Sequence, residues 1–161
     1  MAKKPVRKGE NYLALIAFII ICNLAGAIGA IFTFNAIPTW YAALAKPSFS
    51  PPNWIFGPVW TALYIMMGIA AYLAWKQGKK ADFALKIFGV QLILNTLWSI
   101  LFFGLHSPAL GLACIALLWL SIAWCIKLFC NLDKRAAYLL LPYILWVSFA
   151  SLLNLAIWML N

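Results

Sequence analysis

The chain has 161 residues, of which 66% are hydrophobic and only 9% charged, with a mean hydropathy of +0.96. No water-soluble domain of this size has such a surface, so the sequence reads as an all-α integral membrane protein. The net charge of +9 would suit nucleic acid, but its confinement to narrow clusters between apolar runs argues for membrane orientation and no nucleic-acid partner.

Uncharged stretches lie between Glu10 and Lys46, Lys46 and Lys76, Lys86 and Lys127, and after Arg135. Each holds about 20 apolar residues or more, enough to cross ~30 Å of hydrocarbon as a helix. The third is twice too long and breaks at Gly104-Leu-His-Ser-Pro108, so five spans are expected: 12–34, 54–75, 83–104, 109–130 and 137–160. Strand alternation is absent, which sets a β-barrel aside. With the N-terminus in the cytoplasm, eleven of the twelve lysines and arginines fall on the inner side and only Lys46 falls outside. That asymmetry predicts an inner N-terminus and an outer C-terminus, and the run KKPVRK could touch anionic lipid headgroups.

The first span begins like a secretory signal, with a basic flank and Ala25-Gly26-Ala27 resembling a cleavage site. Its apolar run continues to Phe34, and Gly26 with Ala30 makes a small-xxx-small packing pair, so an uncleaved span is expected. Residues 35–53 follow as a structured outer loop, in which Pro38 ends the first helix and Pro47, Pro51 and Pro52 stiffen the chain. This loop reads as a lid, with Trp40, Lys46 and Trp54 as candidate ligand contacts and Lys46 as a partner for an acidic ligand group.

Polar residues inside the remaining spans are amides and hydroxyls at helical spacing with aromatics. Trp60 and Tyr64 stand one turn apart in span two; Gln91, Asn95 and Trp98 share one face of span three. In span five Tyr143, Trp146, Ala150 and Asn154 follow one face, behind a kink expected at Pro142. Buried amides in hydrocarbon are costly unless paired, so these faces should turn inward, either toward one another or toward a ligand. By depth they share the outer half of the membrane, beneath the connector. An aromatic pocket containing amides there suits a large, flat, mostly apolar ligand.

Other chemistry finds no support. The four cysteines make no metal-ligand spacing, and His106, the single histidine, lies in a short outer turn. No carboxylate pair, Ser/His/Asp set or phosphate loop appears, and no ionisable group lies deep in a span to couple transport.

Long blocks then match a known pattern. They are Trp40-Tyr41, Lys46-Pro47, Pro51-Pro52-x-Trp54, Gly57-Pro58-x-Trp60-Thr61-x-Leu63-Tyr64, Gln91-Leu92-x-Leu94-Asn95-x-x-Trp98, Phe102-Phe103-Gly104 and Pro142-Tyr143-x-x-Trp146-x-x-Phe149-Ala150. Over residues 20 to 161 the chain resembles the tryptophan-rich sensory protein/translocator protein family, also called the peripheral-type benzodiazepine receptor family. The resemblance implies a five-helix bundle, usually a homodimer, that binds porphyrins and other tetrapyrroles, isoquinoline and benzodiazepine-type drugs and, in animals, cholesterol.

It further implies drug contacts at Trp60 and Asn95 with Gln91 and Trp98 beside them. Trp146 matches a tryptophan tied to light-dependent degradation of protoporphyrin, and Ala150 matches an alanine at the ligand pocket. Leu155 stands where animal members have tyrosine and no basic residue follows, so the sterol motif is not intact. The basic N-terminal run and the lack of an acidic tail suggest a bacterial member in the cell membrane. The expected function is porphyrin binding in handling, sensing or stress response, with no obligatory cofactor. A photo-oxidative enzyme using Trp146 is the alternative, and a transporter is a third reading. The dimer edge is placed at Gly89 and Ile93 of span three.

Overall fold

A computed structural model describes residues 11–161. Lys3, Lys4, Arg7 and Lys8, with the headgroup contacts expected of them, lie outside the described residues. Six α-helices build the fold: α1 (Tyr12–Ala36), α2 (Phe56–Trp75), α3 (Asp82–Ser99), α4 (Pro108–Leu132), α5 (Lys134–Leu139) and α6 (Leu141–Leu160). With their short flanking turns they form five apolar spans, Tyr12–Tyr41, Asn53–Trp75, Gly78–Gly104, Pro108–Leu132 and Lys134–Leu160. No strand occurs among the described residues.

The helix ends are set by local chemistry. Asn11 caps α1 by accepting from the Ala14 N–H at 3.1 Å, and its own N–H donates to the Tyr72 hydroxyl at 3.0 Å, fixing the start of α1 to the end of α2. Ser107 caps α4 through the Leu110 N–H at 3.3 Å, and Pro108 occupies the first turn, where a missing N–H costs nothing. Asp133 caps α5 by accepting from the Arg135 N–H at 2.9 Å and pairs with the Arg135 guanidinium at 2.9 Å. Those side-chain hydrogen bonds from Arg135 hold the Asp133 carboxyl below its ordinary value. The fifth span is broken at Leu140, with Pro142 in the first turn of α6.

Pro38 does not end the first helix. The chain widens into a π-helical turn over Ile37–Tyr41, and helical backbone continues to residue 43. A π turn spaces hydrogen bonds by five residues, which relieves the clash between the proline ring and the carbonyl one turn back. The expected loop of 35–53 is therefore helical in its first part. A second π turn, Ile100–Gly104, ends the third span at the same end of the molecule.

Around the bundle, α1 packs between α2 and α3, α3 reaches α4, and α4 reaches α5 and α6; α2 closes the ring through α5 and touches α6 sparsely. The α1/α2 contact depends on missing side chains. A Cβ at Gly68 would lie 2.6 Å from the Ile19 Cα, and one at Gly26 would lie 2.2 Å from the Tyr64 ring. Gly26 of the small-xxx-small pair is thus a notch for an aromatic ring of the neighbouring helix. Gly68→Ala should lower the melting temperature of the purified protein by several degrees, for an overpacking cost of about 1–3 kcal/mol. Melting of Gly68→Ala equal to that of wild type would remove the close approach as a constraint.

Candidate functional site

The connector, the α3/α4 turn and the C-terminal end of α6 meet at one end of the bundle; Lys76, Lys79, Lys80, Lys134 and Arg135 mark the opposite end. At the connector end, a cavity of about 610 Å³ lies between α1, α2 and α3. Its α1 wall is the small-residue stripe Gly26, Ala27 and Ala30. Small side chains there leave room that larger ones would fill.

The opposite walls are aromatic. Trp60 and Tyr64 come from α2, Trp98 from α3, Tyr41 and Phe103 from the two π turns, and Trp54 stands at the mouth with 73% of its surface exposed. Trp60 stacks on Tyr64 at 5.6 Å and meets the Tyr143 ring edge-on at 6.2 Å. The π turns pack against each other through Trp40 and Phe102 at 5.5 Å and Tyr41 and Phe103 at 5.7 Å. Widened turns rotate side chains out of the regular helical face, and here they aim Tyr41 and Phe103 into the cavity.

Behind this wall runs a buried polar chain. The Tyr64 hydroxyl donates to Asn95 Oδ1, Asn95 Nδ2 donates to the Tyr143 hydroxyl at 3.1 Å, and that hydroxyl donates to Gln91 Oε1 at 2.8 Å. Three spans are joined by it. A second set runs from Trp98 Nε1 to Asn154 Oδ1 at 3.1 Å and from Asn154 Nδ2 to the Pro108 carbonyl at 2.7 Å. Gln91, Asn95 and Asn154 are each at most 2% exposed. Among the described residues, the buried Gln91 Nε2 and Trp146 Nε1 have no hydrogen-bond partner.

The connector covers this end and is fastened at several points. Asn161 meets the Ala45 backbone as a peptide group would, accepting from its N–H at 3.0 Å and donating to its carbonyl at 3.1 Å. Trp40 stacks on His106 at 4.7 Å, and Phe49 meets Phe149 edge-on at 6.4 Å. Lys46 folds back on its own loop, donating to the Ala42 and Leu44 carbonyls at 3.2 Å each and lying 4.9 Å over the Tyr41 ring. Its ammonium is therefore engaged within the connector.

Of the residues singled out from sequence, Trp54, Trp60, Tyr64 and Trp98 line the cavity. Gln91, Asn95 and Tyr143 sit in the polar chain behind it. Trp40 and Lys46 belong to the roof, away from the lining. Trp146 packs against Phe56 at 5.9 Å and Phe149 at 5.6 Å, and Ala150 is buried on α6; neither reaches the cavity wall. The sequence-level site omits Ala27, Thr33, Tyr41, Thr61, Ser99 and Phe103, all of which line it. A small-residue stripe facing two Trp/Tyr turns was the available signal for α1, and helix packing accounted for it first.

Residues 18–159 match the model of the TspO/MBR family. The chain is 47% identical over 152 residues to the tryptophan-rich protein TspO of Archaeoglobus fulgidus, covering 94% of this chain and 99% of that protein. It is 43% identical over 156 residues to the tryptophan-rich protein TspO of Chlorobaculum tepidum, covering 94% and 98%. With the translocator protein of Homo sapiens the identity is 35% over 158 residues, covering 91% and 89%. The match runs through all five spans and both π turns, and the chain belongs to the TspO/MBR family of multi-pass membrane proteins.

Proposed function

We propose that this protein binds a tetrapyrrole such as protoporphyrin, and drug-like isoquinoline or benzodiazepine compounds, in the cavity between α1, α2 and α3, and serves porphyrin handling, sensing or stress response. The observation that carries this is the cavity itself: about 610 Å³, within the ~300–1,000 Å³ typical of small-molecule sites, and walled by Trp54, Trp60, Tyr41, Tyr64, Trp98 and Phe103. Indole and phenol faces offer stacking surfaces to a flat aromatic ring system. The Thr33, Thr61 and Asn23 side chains on the wall donate to carbonyls of their own helices, so they make few demands of a ligand. In the same reading the basic end faces the cytoplasm, and two copies associate along the outward side of α3. There Gly89 has open space and Ile93 is 68% exposed.

Protoporphyrin titrated into the purified protein should quench tryptophan fluorescence to saturation. Ala30→Phe, which puts a ring into the cavity, should weaken binding by about tenfold or more, a loss of roughly 1.4 kcal/mol. Equal and non-saturating quenching in both proteins would sink the proposal.

A second reading, photo-oxidation of the bound ring, is favoured by one contact. Trp60, an oxidisable indole on the cavity wall, stacks on Tyr64 and abuts Tyr143. Under illumination Trp60→Phe should slow porphyrin loss severalfold. Trp146→Phe should matter less, because that indole is packed between Phe56 and Phe149. If neither substitution changes the rate while binding persists, these indoles do not supply electrons.

A further inference from the structure

The connector lies at the same end as the cavity, whose lining is exposed along one flank, from Asn53 and Trp54 at the mouth downward. At its back Tyr41, Tyr64 and Trp98 are buried. Along one flank Ala27 and Phe34 of α1 and Gly57 and Thr61 of α2 line it and are all exposed. Two of these positions, Ala27 and Thr61, lie well inside their spans. Ala27 lies ~21 Å along the first span from its end at Tyr41, and Thr61 lies ~12 Å from the start of the second span at Asn53. Exposure at that depth is exposure to hydrocarbon, so the opening faces lipid.

The opening is chemically suited to that phase. Thr61 Oγ1 donates to the Gly57 carbonyl at 2.9 Å, Thr33 Oγ1 to the Gly29 carbonyl at 3.1 Å, and Asn23 Nδ2 to the Ile19 carbonyl at 2.9 Å. The two threonine hydroxyl donors are satisfied within their own helices, as a surface against acyl chains requires, and Asn23 gives one of its two N–H groups in the same way. A Cβ at Gly57 would meet nothing within 4 Å, so the gap is not filled from the α2 side. The connector itself is fastened, by the Asn161 pairing with Ala45, the Trp40/His106 stack and the Phe49/Phe149 contact. Lifting the connector requires those contacts to part; passage along the α1/α2 flank requires none of them to.

We propose that the cavity takes its ligands from the bilayer, through the gap between α1 and α2 at Ala27, Gly57 and Thr61. This deepens the binding reading above and rests on it only for the identity of the ligand. The class of occupant is thereby narrowed to membrane-dissolved amphiphiles that lead with an apolar edge, and the side chain at position 27 limits their width.

The test uses the full chain in phospholipid vesicles, with two probes. A phospholipid carrying a photoactivatable diazirine at mid-chain should form adducts on Trp98 and Ser99, which lie inside the cavity, and Ala27→Phe should abolish those adducts while leaving outward-facing ones intact. Protoporphyrin dissolved in the vesicles should associate and dissociate about tenfold more slowly with Ala27→Phe, whereas Asn161→Ala, which loosens the roof, should not accelerate either step. Adducts confined to outward-facing residues, or faster exchange in Asn161→Ala with no effect of Ala27→Phe, would overturn lateral access. If wild type forms cavity adducts sensitive to Ala27→Phe but never binds protoporphyrin saturably, the opening stands and the tetrapyrrole reading fails.

Discussion

The architecture depends on one constraint: three amides and two phenols stand inside a bundle whose surroundings offer no water. A buried hydrogen-bonding group left unpaired costs about 1–3 kcal/mol, and more in hydrocarbon. Tyr64, Asn95, Tyr143 and the Gln91 carbonyl answer this by bonding one another across the second, third and fifth spans, with Gln91 Nε2 the group left over. Few positions let α2, α3 and α6 satisfy that chain together, so the polar interior fixes the register of apolar helices that could otherwise slide. Lipid supplies little driving force for helix association, and directional contacts carry correspondingly more of the specificity.

The cavity follows from how that chain is placed. Tyr64 must reach Asn95, and its ring does so by lying in the notch left at Gly26 of α1. One turn away Trp60 stacks on the same ring, and the stripe of Gly26, Ala27 and Ala30 opposes both without filling the gap. Large rings on one helix against small residues on its neighbour would normally interlock. Here the interlock is complete at Gly26 and at Gly68 and incomplete toward the connector, where the space remains as a cavity.

The helical faces were legible because a 3.6-residue period and the cost of burying amides leave little freedom. Gln91, Asn95 and Trp98 do share an inward face, and Tyr143 and Asn154 do meet them from α6. Lateral position was not legible. Depth alone put Trp146 and Ala150 in the same outer half of the membrane as Trp60, but depth says nothing about which side of a ring of helices a residue occupies. Trp146 packs on Phe149 and on Phe56, and it is the Phe56 ring, not the Trp146 indole, that lines the cavity. Pro38 misled for a different reason. The rule that proline stops a helix presumes α-helical spacing, and a π turn evades it. That same turn delivers Tyr41 to the cavity, so the error in the backbone and the omission from the site have one cause. Lys46 illustrates a further limit: charge marks it as unusual, while the carbonyls that hold it belong to its own loop.

The stiffness of the connector has a consequence for the whole site. A connector held by paired backbone contacts, a Trp/His stack and a Phe/Phe contact resists displacement, because these contacts must be lost together before it lifts. The flank between α1 and α2 carries no such fastening above the Gly26 notch, and its exposed residues are alanine, glycine, threonine and phenylalanine, compatible with acyl chains. For a solute that already prefers the bilayer, crossing that flank involves no change of solvent, whereas passing the roof would expose apolar surface to water at ~25 cal/mol per Å². On the lateral-access proposal, a fastened connector beside an exposed flank would sort ligands by phase before any contact in the cavity sorts them by shape.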